Sequence, residues 1–316
     1  MNSLGGYFGM ELRKGNEYHK NAIRLNTARN ALELILKNRK LKKVYIPYYT
    51  CDVILEPLHK LNLEYEFYSI NKNFEPVFNY DAIKANEGFL YTNYFGLKDT
   101  FIASLTGIYK NLIIDNSQAF FALPQPGVST YYSCRKFFGV PDGAYLYLDG
   151  VIEKGFPNDS SIERFSHLLK RIEYNAETGY EDFKANEIIL QWQPIKKMSN
   201  LTKALLCNID YNFVSQRRRQ NFLTLHKSLI HLNKLKLNLD EQSVPMIYPL
   251  RLFRPNLKQH LIDKKIFVPT YWPEILKKNS DASIEYQFAK EIIHLPVDQR
   301  YDIKNMKYII KVITET

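Results

Sequence analysis

The sequence lacks most of the residues that mark a stapled, metal-bound or membrane-spanning protein. Its three cysteines, Cys51, Cys134 and Cys207, lie far apart with no CxxC spacing. That argues against zinc and against a disulfide framework, and fits a reducing compartment. The seven histidines show no metal-ligand spacing, and neither HExxH nor GxSxG occurs, so no metal site is expected. No stretch of about eighteen apolar residues is present, so no membrane span is expected. The N-terminus MNSLGGYFGMELRKG has no basic region followed by an apolar run, unlike a signal peptide, and a cytoplasmic location is expected. GxxxxGK[ST] and GxGxxG are absent too, which leaves nucleotide hydrolysis and dinucleotide binding without support.

What is present describes a globular chain. Its 316 residues exceed what one hydrophobic core usually supports, so one large domain and a smaller one are expected. The net charge of +10, from 43 basic and 33 acidic residues, is dispersed, with only short runs such as Lys40–Lys43 and Arg217–Arg219. Dispersal points to solvated helix faces rather than to a nucleic-acid footprint.

Helical and strand signals alternate through the first half. Asn26 or Thr27 caps a helix over ARNALELILKNRK, which has apolar residues at 31, 32, 34, 35 and 36 and a basic end. KKVYIPYYT reads as a strand closed by Pro47, CDVILEPLHKLN as a helix, and LEYEFYSI as a strand. GFLYTNYFG is a third strand, followed by a helical region and the strand NLIID. Strands separated by helix-length segments imply parallel βαβ units and a sheet covered on both faces. After Asp149 the pattern changes. Residues 151–200 are polar and helix-prone, and a long amphipathic helix runs from about Asn200 to Ile230. MIYPLRLF, the helix NLKQHLIDKK, IFVPTYWP, a helix around IEYQFAKEI, HLPVD and an amphipathic IKNMKYIIKVI close the chain. The expected division is a large domain over 1–210, then a linking helix and small C-terminal domain over 211–316.

The stretch from Ile113 to Asp149, IIDNSQAFFALPQPGVSTYYSCRKFFGVPDGAYLYLD, carries the chemistry. An apolar run ends on Asp115, a loop follows, and Lys136 sits among aromatics before a Val-Pro-Asp-Gly turn. Phe137, Phe138 and Val140 can lower the lysine amine's pKa by desolvation, which an imine-forming lysine needs. Asp115 ends a strand, where ligands bind in doubly wound sheets, and can pair with a protonated ring nitrogen; a loop-capping role is its alternative. Gln118 can donate to a phenolic ring oxygen or simply bond its loop. A lysine and a carboxylate so placed suggest pyridoxal 5′-phosphate (PLP). Asn26-Thr27-Ala28 is a candidate phosphate cradle, offering free N–H groups and a hydroxyl at a helix start, although any capped helix looks similar.

Taken together, these segments resemble the DegT/DnrJ/EryC1/StrS family of sugar aminotransferases, PLP enzymes of the aspartate-aminotransferase fold type I. IIDNSQAF is similar to the family's strand and acidic motif, which implies Asp115 at the pyridine nitrogen and Gln118 near the ring oxygen. KFFGVPDGAYLYLD resembles the stretch holding the Schiff-base lysine, which implies Lys136. TNYFG at 92–96 and NTARNAL match further family segments, and YWP at 271–273 and HLPVD at 294–298 resemble the tail of the small domain. The resemblance spans nearly the whole chain. Its departures are specific. Cys51, in YIPYYTCDV, stands where many members stack an aromatic on the cofactor ring. The phosphate-binding serine maps to Tyr131 by place, with Ser133 nearer the lysine. The Asn-x-Arg segment that typically reaches a neighbouring subunit's cofactor is not recognisable, and MSNLT around Asn200 stands in that region. The chain is also short for the family.

The resemblance implies an α/β fold, a mostly parallel sheet covered by helices with a smaller C-terminal α/β domain. It implies a homodimeric PLP-dependent aminotransferase, catalytic through Lys136. Asp115, Gln118, Asn26, Thr27, Ala28, Cys51, Tyr131 and Ser133 would surround the cofactor. The substrates would be a nucleotide-linked keto-sugar and an amino-acid donor, in surface-polysaccharide or amino-sugar biosynthesis. Neither nucleic acid nor a membrane is an expected partner. The alternative is a catalytically degenerate descendant that serves as a binding or scaffold protein in polysaccharide assembly. A PLP-dependent dehydratase usually replaces the lysine, and Lys136 is present.

Overall fold

The computed structural model describes residues 4–108, 111–148 and 155–315; Asp149, the end of the stretch read above, lies outside the described residues. Eight strands form one sheet: β1 (Ile23–Leu25), β2 (Lys43–Pro47), β3 (Glu64–Ile70), β4 (Pro76–Val77), β5 (Glu87–Thr92), β6 (Leu112–Asp115), β7 (Ser129–Ser133) and β8 (Ala144–Tyr147). Their spatial order is β1-β8-β7-β6-β5-β2-β3-β4. The pairs β2–β3, β2–β5, β5–β6 and β6–β7 are parallel. β8 runs antiparallel to both β7 and β1, and β4 is an antiparallel edge.

The two-residue period of a strand explains why this sheet has two cores. Along β6, Leu112 and Ile114 point into one cluster and Ile113 into the other; in β5, Phe89 and Tyr91 oppose Leu90 in the same way. The helix α1 (Ala28–Arg39) covers the second face with Ala31, Leu32, Leu34, Ile35 and Leu36. It is joined by α2 (Leu55–Lys60), while α3 (Asp99–Leu105) packs Ile102 and Leu105 on the first face. Strands buried on both faces are what parallel pairing with helical crossovers requires.

Two segments differ from the expectations above. The span between Asp115 and Lys136 is not all loop, because the central strand β7 lies inside it. Its sequence STYYS alternates too weakly in polarity to stand out, yet Thr130, Tyr131 and Tyr132 are all buried. GFLYTNYFG leaves the sheet at Thr92 and closes in a tight turn, Tyr94–Gly96, with Phe95 at φ 60°. That uncommon conformation is held at both ends: the Phe95 N–H donates to Gln118 Oε1 at 2.8 Å, and its carbonyl accepts from Met246 N at 2.8 Å. Gly96, at φ 71°, faces the Val244 carbonyl so closely that a Cβ would lie 2.9 Å from its oxygen.

Beyond β8 come α4 (Ser166–Glu173), α5 (Tyr180–Ile189), α6 (Asn200–Cys207) and α7 (Tyr211–Leu229). The single long helix expected from Asn200 is thus two. Asp210 starts α7 afresh by accepting from Phe213 N at 3.0 Å, a strong cap that interrupts the run. The antiparallel pair β9 (Ile247–Arg251) and β10 (Ile292–Pro296), with α8 (Leu257–Asp263), α9 (Ile275–Lys278), α10 (Ile284–Glu291) and α11 (Ile303–Thr314), completes the smaller C-terminal α/β part. A third core there joins Phe222 and Leu225 of α7 to Tyr248, Leu261, Leu295 and Ile309. Val244, Met246 and Phe288 instead pack into the first core of the large sheet. Glu285 of α10 also accepts from the Ile70 N–H of β3 at 2.8 Å.

Candidate functional site

The carboxyl ends of the parallel strands meet on one edge of the sheet, and the sequence candidates collect there. Thr27 follows β1, Cys51 follows β2, Asp115 ends β6, and Tyr131 and Ser133 belong to the end of β7. Lys136 closes a short helical turn, Cys134–Lys136, directly after β7. Such an edge is where open α/β sheets bind ligands.

Lys136 itself is exposed. Phe137, Phe138 and Val140 are buried in the first core, Phe138 lying 4.8 Å from the Phe120 ring centroid. The aromatics therefore do not enclose the amine as their adjacency in sequence suggests. In a tight helical turn successive side chains point about a third of a turn apart, so one residue can face solvent while the next enters the core. What surrounds the amine is charge: its positive charge favours the ionised forms of Asp115, Cys51 and Glu187.

Asp115 is half-buried. Burial raises its pKa, while the Ser117 hydroxyl and N–H, the Tyr131 hydroxyl and the Lys136 charge pull it back. The Ser117 N–H donates to Oδ1 at 2.8 Å. Tyr131, its register partner on β7, is buried, and its hydroxyl bonds the Asp115 carboxylate. Gln118 is buried with its amide oxygen committed to the Phe95 N–H, which leaves the amide nitrogen as its donor. Burial pushes the Cys51 thiol up; the Val53 N–H and Lys136 oppose this, while Glu274 and Asp52 add to it.

At the start of α1 the three candidates divide. Thr27 is the cap, its hydroxyl oxygen accepting from Asn30 N at 3.1 Å; the hydroxyl hydrogen stays available to an anion. Ala28 and Arg29 open the first turn, where backbone N–H groups have no partner within the helix. Asn26 is spent on structure. Its side chain accepts from Asn30 Nδ2 at 2.8 Å and donates to the Pro194 carbonyl at 3.2 Å, while its carbonyl accepts from Gly143 N at 2.7 Å.

No protein-family model matches the sequence, and no curated protein matches it. Solved structures do. CalS13, a sugar aminotransferase from Micromonospora echinospora, superposes with a TM-score of 0.60 at 13% identity, over 93% of this chain and 87% of that one. A DegT DnrJ EryC1 StrS aminotransferase from Brucella abortus gives 0.59 at 15% identity, over 93% and 85%. The PLP-form of Spr1654 from Streptococcus pneumoniae gives 0.63 at 16%, over 92% and 85%. The chain has the sugar-aminotransferase fold.

The donor set at the edge fits PLP in kind: an amine, a carboxylate within its electrostatic reach, and a hydroxyl at a helix N-terminus of 12 residues. Sequence reading missed several neighbours. Glu187 of α5 forms an ion pair with Arg135, and Arg135 together with Lys136 and Arg29 holds its carboxyl below the usual range against the opposing effect of burial. Asp142 is fully buried in the Val-Pro-Asp-Gly turn, where it accepts from Ser199 N at 3.1 Å, Ser199 Oγ at 3.0 Å and the Thr202 hydroxyl. Glu187 left no signal because its helix is distant in sequence, whereas Asp142 was visible as an acidic turn residue. A cavity of about 230 Å³ lies beside the site rather than over Lys136, lined among others by Tyr18, Asn93, Asp99, Asn116 and Thr130. Among the described residues no cluster of His, Cys, Asp or Glu is built to hold a metal ion, and no helix is long and apolar enough to cross a membrane.

Proposed function

We propose that this chain is a PLP-dependent aminotransferase acting on a nucleotide-linked keto-sugar with an amino-acid donor, in surface-polysaccharide or amino-sugar biosynthesis. The observation that carries the reading is the placement of both Lys136 and Asp115 at the carboxyl edge of a sheet with this fold, near enough for the lysine charge to act on the carboxyl. PLP, when bound, supplies an electron sink for carbanion chemistry. The Thr27 hydroxyl and the first-turn N–H groups of α1 hold the phosphate. The Asp115 carboxylate keeps the ring nitrogen protonated, and Tyr131 and Ser117 orient that carboxylate. Gln118 offers its amide nitrogen to the ring oxygen, and Cys51 and Ser133 border the pocket. Lys136 Nζ would hold the cofactor, and as a free amine it would serve as general base and then acid for the donor's α-proton.

A homodimer is part of this proposal. Ile172, Ile188 and Trp192, on and just after α4 and α5, are 83%, 66% and 58% exposed, large apolar side chains that association would cover.

Titration with PLP tests the assignment. The expected result is a visible absorption band that borohydride fixes as a covalent mass on Lys136, absent in Lys136→Ala. No band, or labelling that survives Lys136→Ala, overturns the assignment and leaves the scaffold reading. Light scattering of the purified chain tests the dimer.

A further inference from the structure

Arg218 of α7 is a costly residue to bury. It is 1% exposed and among the largest fully buried side chains. Among the described residues it forms no ion pair, and the nearby Asp298 is paired with Arg300 at 2.6 Å instead. Burial lowers its pKa to about 10, so at neutral pH it remains a cation. A buried cation without a salt-bridge partner is expensive, and a well-packed apolar side chain of similar volume would stabilise the core more. Something polar must therefore be served by it.

Its hydrogen bonds show what. Nε donates to Gln299 Oε1 at 2.9 Å. Nη1 donates to the Pro245 and Met246 carbonyls at 3.3 and 3.1 Å. Nη2 donates to the Phe137 carbonyl at 3.3 Å, and the guanidinium lies 4.4 Å from the centroid of the Phe137 ring. The same Phe137 carbonyl accepts a second bond from Gln299 Nε2 at 2.8 Å. Phe137 is the residue after Lys136. On its other side the turn is closed by Phe137 N donating to the Cys134 carbonyl at 3.1 Å, and Cys134 N donates to the Gly143 carbonyl at 3.1 Å. The lysine-bearing turn is thus pinned from the sheet at one end and from the C-terminal part at the other.

We infer that Arg218, supported by Gln299, is a positioning residue for Lys136: it fixes the backbone directly behind the exposed amine and so sets the amine's direction over the sheet edge. The inference rests on the reading of Lys136 as the cofactor-anchoring lysine, and it names the part of the chain that aims it. Lys136 is exposed whereas Phe137 and Phe138 are buried, so the turn that carries it bears on the amine's direction. A guanidinium with several fixed donors can lock a carbonyl in a way that a single flexible ammonium cannot.

Arg218→Met, Arg218→Lys and Gln299→Leu test it with two readouts. The first is competitive acetylation of the lysines by acetic anhydride across pH, with peptide mass spectrometry reporting Lys136 against the other lysines. The second is the rate at which the PLP absorption band forms, with pyridoxine 5′-phosphate, which has no aldehyde, as the control for phosphate binding. In Arg218→Met the acetylation profile of Lys136 shifts while other lysines keep theirs. The band forms roughly tenfold or more slowly, and pyridoxine 5′-phosphate affinity is retained. Gln299→Leu gives a smaller change in the same direction, and Arg218→Lys recovers part of the loss. A folded Arg218→Met with a wild-type Lys136 profile and band rate overturns the inference. If Arg218→Met does not fold, an unchanged Lys136 profile in Gln299→Leu overturns it. Should the wild-type protein form no band at all, the proposed function falls, and the acetylation readout still decides whether Arg218 positions Lys136.

Discussion

Lys136 and Phe137 are neighbours in sequence and opposites in environment, one exposed and the other 3% exposed. The candidacy of the lysine was legible from its place between Asp115 and the Asp-Gly turn, but its surroundings were not, because a turn's direction depends on what pins it. Two histidines show the same limit. His19 is enclosed by Tyr132, Tyr145 and Phe120, with Nε2 2.7 Å from the Phe120 carbonyl oxygen and Nδ1 3.2 Å from the Tyr147 hydroxyl. Burial holds its pKa at about 4, and that of His294 at about 3, against an ordinary 6.5. Both folded-state values lie below the unfolded one, so the unfolded chain binds these protons first. The stability associated with the neutral rings is complete above pH 6.5 and is lost as pH falls through that value towards about 4 for His19 and about 3 for His294. For His19 the shift corresponds to roughly 3 kcal/mol. Urea unfolding followed from neutral pH down to the His19 value checks this: the wild type weakens across that window and His19→Phe weakens less. An equal slope in the two proteins would refute the assignment.

At the scale of elements, α1 was the most legible. Its apolar positions and the Asn-Thr start place it at Ala28–Arg39, within a residue of the expected end. Thr27→Ala is expected to lower stability by about 1 kcal/mol through loss of the cap. If Thr27 also holds the phosphate, the same change weakens pyridoxine 5′-phosphate binding, and Thr27→Ser restores both. Calorimetric melting and titration separate the two effects. Where short polar residues cap or interrupt, the sequence was less informative. β7 was hidden because Ser, Thr and Tyr carry little hydrophobic contrast, and the break between α6 and α7 because Asp210 caps without disturbing the apolar pattern. α6 is docked by Asp142, which takes the Ser199 N–H, the Ser199 hydroxyl and the Thr202 hydroxyl while fully buried. Removing an acceptor of several buried donors leaves them unpaired. Asp142→Ala is expected to cost about 3 kcal/mol, measured by denaturant titration, and a loss below about 1 kcal/mol would show the donors finding other partners.

At the scale of the whole molecule, the first core does not stop at the large sheet. Phe288 of α10 packs against Tyr49 and Phe74, with ring centroids 5.6 and 4.6 Å away. The small C-terminal part therefore shares a core with the sheet and should unfold with it. Phe288→Ala is expected to cost about 3–5 kcal/mol, and hydrogen exchange in β5 and α11 should accelerate together. Acceleration in α10 and α11 alone would mean that the two parts unfold separately. The sequence by itself determined the alternation of strands and helices and the sheet buried on both faces, and it singled out Lys136 and Asp115 as candidates for one cofactor. Those follow from periodicity and from side-chain chemistry, which are local. The exposure of Lys136, the bond between Tyr131 and Asp115, the use of Asn26 as an anchor, and the grip of Arg218 on the turn behind the lysine were decided only by the tertiary structure. Each joins residues from separate segments, and the energy of a buried hydrogen bond or a shared core exists only once the fold has brought those segments into contact.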